Sequence, residues 1–303
     1  MPEETADLEE DKMFLHRLFS TVLLLGIFSS MIFAPVSWRS TIFYCVLTGM
    51  TFLLIREISS ALKNIQIYTH EKVLPFLGGI CMAFNGICIF FPASYILYFS
   101  LMVQILAGTV LGILYLLLAK NDPEKIKKLL HSLMVLILVQ IPILMVEWIF
   151  IMGNSDSFNW LILYFILMTK IGDIGAYVTG TLSNKILKGG NHKMIPSVSP
   201  GKSWEGMVGG LIITVLFGLV LNKFCMVYPS MVFSVIAGIL FFFGGMVGDL
   251  AESSFKRSCS IKDSGHIFPG IGGIYDLVDS LFMTAPLFLF FELVRVLIEK
   301  AKF

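Results

Sequence analysis

The chain has 303 residues, of which 56% are hydrophobic and 14% are charged. A soluble domain carries about 25% charged residues, so this chain cannot cover itself with a polar surface, and its solvent must be largely lipid. The formal net charge of +1 offers no footprint for nucleic acid, and five scattered cysteines without a CxxC pair read as packing residues rather than a disulfide or zinc framework.

The first 17 residues are acidic, with Glu3, Glu4, Asp7, Glu9, Glu10 and Asp11. A secretory signal would begin basic, and the apolar run at 18–36 is long enough to span, so an uncleaved first helix is expected. About 20 apolar residues cross a bilayer as a helix. By that measure the chain predicts an all-α polytopic fold with about nine spans, at 18–37, 41–58, 73–92, 95–119, 130–152, 158–178, 205–222, 230–249 and 279–298. These runs are apolar on every side and do not alternate as barrel strands do. Three regions follow: an acidic tail at 1–17, membrane helices at 18–152 (about five spans), and a C-terminal membrane region at 153–303 (about four spans) that holds the polar loops. Lysines and arginines alternate between loops. They cluster at Arg56–Lys72, Lys120–Lys128, Lys185–Lys202 and Lys256–Lys262 and thin out in the loops between. The bias places the N-terminus in the cytoplasm. The polar loops 179–204 and 250–278 then face the cytoplasm, and positioned loops are where chemistry is expected.

Three stretches could do chemistry. Asp173 lies near the end of the sixth span, with Lys170 one turn earlier, and the two could simply neutralise each other. Ser197–Gly206 contains Gly201-Lys202-Ser203, but a phosphate-binding P-loop needs a glycine where Pro196 stands and a preceding strand, and none is predicted. What remains is Ser199, Lys202 and Ser203 ahead of a helix, with Ser203 as N-cap and Glu205 in the first turn, a helix start that also suits an anion. The richest stretch is 248–280. If the eighth span continues as helix, Asp249, Glu252, Ser253 and Lys256 share one face. Asp249 at the end of an apolar run would cost ~2.5–3.5 kcal/mol at the bilayer centre, which anchoring alone does not explain. Pro269–Gly273 reads as irregular backbone suited to close approach by a ligand, and Asp276 and Asp279 follow at the start of the last span. Carboxylates grouped with lysines and glycine amides describe a site for Mg²⁺ and phosphates. Glu147 and Glu292 lie nearer the outer face and read as packing residues. The small-residue spacing of Gly206, Gly209, Gly210, Gly244 and Gly248 reads as helix packing.

The stretch 253–279 closely resembles the signature of the phosphatidate cytidylyltransferases. The matching residues are Ser253, Phe255, Lys256, Arg257, Lys262, Asp263, Gly265, Pro269, Gly272, Gly273, Ile274, Asp276, Val278 and Asp279. Upstream, Ser199-Pro200, Lys202-Ser203, Glu205-Gly206 and Asp173 with Ala176-Tyr177 also look like family motifs. The resemblance covers residues 165–282, and the N-terminal half matches only in hydropathy. Two positions depart from the signature: Ile271 stands where the family has histidine, and Leu277 where it has arginine.

The resemblance implies that CTP and phosphatidate give CDP-diacylglycerol and pyrophosphate in phospholipid synthesis. Asp249 and Asp276 would be catalytic and ligate Mg²⁺ (with a second cation left open), and Asp279 would be a further metal acid. Lys256 and Lys262 would be catalytic cations. Substrate binding would fall to Asp173, Ser199, Lys202, Ser203, Glu205, Arg257, Asp263, Gly272 and Gly273. The partners expected are CTP, phosphatidate and membrane lipid, with a homodimer left open, and the location a bacterial cytoplasmic membrane with the site facing the cytoplasm. Two alternatives stay open: a CTP-dependent polyprenol or dolichol kinase, and an ion-coupled transporter using Asp173, Asp249 and Glu147.

Overall fold

The computed structural model describes residues 19–88, 93–119, 122–153, 159–269 and 272–300. The acidic tail and Ile271 lie outside them. Backbone polar groups find no water in hydrocarbon, so apolar runs satisfy them internally as helices. The helices are α1 (Phe19–Phe33), α2 (Val36–Lys63), α3 (Leu74–Cys88), α4 (Ala93–Ala119), α5 (Pro123–Gly153), α6 (Trp160–Ile186), α7 (Trp204–Cys225), α8 (Met231–Ser258) and α9 (Ile274–Lys300). Each matches one expected run, and the chain has the helices of an integral membrane protein. Seven of them, α2 and α4–α9, are long and apolar enough to cross a membrane. The other two, α1 and α3, are shorter. The 15 residues of α3 rise about 22 Å at 1.5 Å each, less than the roughly 30 Å hydrocarbon core.

The helical expectation needs one correction. Among the described residues, a two-stranded antiparallel hairpin joins α6 to α7: β1 (Lys193–Ile195) pairs with β2 (Ser199–Ser203), setting Lys193 opposite Ser203 and Ile195 opposite Ser199. Gly201-Lys202-Ser203 therefore lies in a strand and not in a loop. Proline and glycine are poor strand formers, so the segment carries no alternating signal that could have announced it.

The chain forms two compact units. The first comprises Met1–Ile143 with Cys259–Leu277, and the second comprises Leu144–Ser258 with Val278–Phe303. In the first, α2 packs on α3, and polar side chains of α5 and α4 fasten those helices to α3. Gln140 Nε2 donates to the Gly78 carbonyl at 3.0 Å, and Gln104 Nε2 to Asn85 Oδ1 at 2.7 Å. The segment after α2 is fastened by His70, whose ring nitrogens meet Ser132 Oγ at 2.9 Å and Tyr115 Oη at 3.1 Å. Burial holds this imidazole's pKa below its ordinary value, and Lys128 adds to the effect.

In the second unit, an aromatic cluster of Tyr164, Phe165, Phe241 and Phe288 ties α6, α8 and α9 together, with ring centroids 5.1–6.0 Å apart. Glu147 and Glu292 are buried, and Glu292 accepts from Arg295 at 2.7 Å. The backbones of α6 and α7 touch along a glycine seam. A Cβ on Gly206 would stand 2.8 Å from the Ala176 carbonyl, and one on Gly210 would stand 2.9 Å from the Ala176 amide nitrogen. Only residues this small allow that approach, and the seam fixes where α6 and the hairpin meet.

Candidate functional site

Beside this seam the second unit encloses a cavity of about 410 Å³, within the range of ligand pockets. A stripe of α6 lines it over three turns, from Asp173 through Ala176, Tyr177 and Gly180 to Asn184. The hairpin contributes Ser199, Lys202 and Ser203, and α8 contributes Phe242, Met246 and Asp249. One end is therefore charged, and apolar side chains stand beside it.

Lys202 reaches from β2 to α8. Its ammonium donates to the Met246 carbonyl at 3.2 Å and pairs with Asp249 Oδ2 at 3.2 Å. Lys170, on α6, donates to Ser280 Oγ at 2.9 Å and lies 3.9 Å from both Asp173 Oδ2 and Asp279 Oδ1. Lys170 is thus shared between two carboxylates, and the Lys170–Asp173 pair is not self-contained. Asp249 stands beside both Asp173 and Asp279, so three carboxylates gather with two ammonium groups. Their hard oxygens suit Mg²⁺, with lysines now interleaved between them. Among the described residues, no three histidine, cysteine, aspartate or glutamate side chains converge as a ligand set.

Ser203 caps α7 as its sequence position suggests: its hydroxyl accepts from the Gly206 amide at 3.1 Å. Losing this buried cap in Ser203→Ala should cost about 1 kcal/mol, read as a lower thermal unfolding midpoint in micelles. Glu205 is in the first turn but turns back, accepting from His192 Nδ1 at 2.6 Å and from the His192 amide. It clasps the hairpin to the helix. Lys256 pairs along α8 with the buried Glu252, and Arg257 is exposed at the end of that helix.

The remaining candidates belong to the first unit. Lys262 and Asp263 are exposed. Across the expected irregular glycine stretch, Phe268 and Gly272 exchange paired 3.0 Å backbone hydrogen bonds. Gly272 has a φ of +125°, a region closed to side chains. The Gly273 amide donates to Asp276 Oδ2 at 2.7 Å, and Ser264 donates to the same oxygen from its backbone at 3.0 Å and its hydroxyl at 3.1 Å. Asp276 thus organises its own loop.

Sequence reasoning missed Glu57. This carboxylate, at 6% exposure, accepts from the Ile274 amide at 2.9 Å, the Tyr275 amide at 3.0 Å and the Ser264 hydroxyl at 3.1 Å. It lies beside Arg56 near the C-terminal end of α2, where a charged residue at a span end is ordinary and gives no sequence signal of these partners.

Three relatives place the chain among known proteins. It is 36% identical over 138 residues to Uncharacterized protein YnbB of Escherichia coli, covering 46% of this chain and 44% of that one. It is 39% identical over 134 residues to a Phosphatidate cytidylyltransferase of Staphylococcus haemolyticus, covering 44% and 49%. It is 35% identical over 136 residues to one of Haemophilus influenzae, covering 44% and 45%. The chain thus spans about half the length of the curated relatives it matches. A family model covers nearly all of it, residues 15–294, and on that match the chain belongs to the Cytidylyltransferase family.

Proposed function

We propose that this chain transfers a cytidylyl group from CTP to phosphatidate, giving CDP-diacylglycerol and pyrophosphate. The observation that carries this is the Lys202–Asp249 pair at the charged end of a cavity built from membrane helices, in a chain of this family. Relatives named for phosphatidate supply the lipid. A phosphomonoester has its second pKa near 6, so phosphatidate is largely dianionic at neutral pH and needs no strong base. Its phosphate oxygen attacks the α-phosphorus of CTP, the bond to the bridging oxygen breaks, and pyrophosphate leaves. The obstacle is repulsion between two polyanions, so positioning and cations dominate.

In this reading Lys202 binds phosphate, and Ser199 and Ser203 offer neutral donors. Asp249 and Asp279 would hold Mg²⁺, which supplies charge neutralisation when bound. Asp276 is assigned to the same reaction by its place in the family signature, at the third residue of α9. The acyl chains stay in lipid, which accounts for a nucleotidyltransferase built of membrane helices. The lysine-rich polar loops support a site facing the cytoplasm.

The test uses the purified full-length chain in mixed micelles with phosphatidate, Mg²⁺, and CTP labelled at the α- or the γ-phosphorus. The α-label should enter the lipid and the γ-label should leave in pyrophosphate. Transfer of the γ-label to lipid would point to a CTP-dependent lipid kinase instead, and no transfer of either label would overturn the substrate assignment.

A further inference from the structure

We propose that Glu57, from the N-terminal helices, is a positioning residue for Asp276 and the glycine stretch, an inference that rests on the function proposed above. A helix begins with amides that have no intrahelical partner. In α9 the N-cap is Gly273, which has no side chain to accept from them. Two groups take its place. Asp276, at the third helical position, reaches back to the Gly273 amide as the acid of a capping box does. Glu57 takes the Ile274 and Tyr275 amides, one on each carboxylate oxygen. The cap of α9 is thus delivered from α2, more than two hundred residues away in sequence.

The surroundings are shaped to this carboxylate. A Cβ on Gly273 would lie 2.5 Å from Glu57 Oε2, and one on Gly265 would lie 2.5 Å from Glu57 Oε1. A serine or aspartate N-cap at 273 would need the space that Glu57 fills. The Ser264 hydroxyl stands 3.1 Å from both acids and links them, giving its one hydrogen to either. Glu57, Ser264, Gly273 and Asp276 form one hydrogen-bonded assembly, and the orientation of Asp276 depends on a first turn that Glu57 closes. Carboxylate near a helix N-terminus is also where the dipole favours it. Without Glu57 the two amides lose their acceptor, the turn opens, and Asp276 leaves its position.

The experiment compares the full-length wild type with Glu57→Ala, Glu57→Asp and Glu57→Gln, all in micelles and normalised to folded protein by size-exclusion chromatography. kcat should fall about 10²-fold in Glu57→Ala, the scale of a small misplacement of reacting groups, while KM for CTP and for phosphatidate stays within a few-fold. Glu57→Gln and Glu57→Asp should fall between that variant and wild type. Hydrogen exchange should speed up at the amides of 274 and 275 in Glu57→Ala, with the middle of α9 unchanged. A Glu57→Ala chain with wild-type kcat, or with slow exchange kept at 274 and 275, overturns the proposal, as does a loss of activity that disappears on normalising to folded protein. A wild type that does not consume CTP overturns the functional reading instead.

Discussion

Asp249→Asn should lower CTP-dependent turnover by a factor on the order of 10² or more, a loss typical of removing one group that meets charge in a transition state. The chain should fold as before. The asparagine keeps the shape of the side chain and one oxygen that can accept from the Lys202 ammonium, now 3.2 Å from Asp249 Oδ2, so the hydrogen bond survives and the cost to the fold stays small. A hundredfold loss corresponds to about 2.7 kcal/mol of barrier. The effect on the reaction should therefore exceed the effect on the fold, and the two are separated by measuring initial rates alongside thermal unfolding. Wild-type rates in Asp249→Asn would remove this residue from the chemistry.

The second large effect is on folding. Gly209 and Gly210 are adjacent in α7, and both face α6. At Gly210 an added Cβ would meet the Ala176 amide nitrogen and Cβ at 2.9 Å and the Phe242 ring at 2.7 Å. At Gly209 its three nearest atoms would all belong to the Thr179 side chain, from about 2.5 Å. Rotation moves Thr179 Oγ1 and Cγ2 but not Cβ, which the α6 backbone fixes, so Gly210→Ala and Gly209→Ala should each destabilise by about 1–3 kcal/mol. Thr179 would give up hydrogen bonds of 2.7 Å to the Gly175 carbonyl and 3.3 Å to the Gly206 carbonyl on rotating, which adds to the cost of Gly209→Ala. Unfolding midpoints of both variants decide the matter. A wild-type midpoint in either variant would mean that α6 and α7 do not approach this closely.

The helices were legible because lipid imposes a rule on every residue of a span, and long apolar runs have no other outcome. The α7 start was legible for a local reason: Ser203, Glu205 and the glycine that follows carry a cap within four residues. Asp173 and Asp249 stood out as charges at the ends of apolar runs, and both line the cavity. Long-range partners were not legible. Nothing near Glu57 announces that its acceptors serve amides 217 and 218 residues later, and the N-terminal half resembled the family only in hydropathy. The hairpin escaped because three residues face five across a turn, too few for a periodic pattern, with proline and glycine inside the second strand.

That hairpin also determines what kind of change the cavity can tolerate. Side chains on a strand alternate between faces, so a slip of one residue exchanges every inward group for its neighbour. β2 is pinned at both ends, with Ser199 opposite Ile195 and Ser203 opposite Lys193 and the register shifting at a bulge between them, and Lys202 reaches α8 from that stretch. The connecting residues Pro196, Ser197 and Val198 therefore act as a ruler: their number sets which residue of β2 faces Asp249, whatever their own chemistry. Exchanges of type there should be absorbed, whereas a change in length would turn the ammonium away from the carboxylate it now meets.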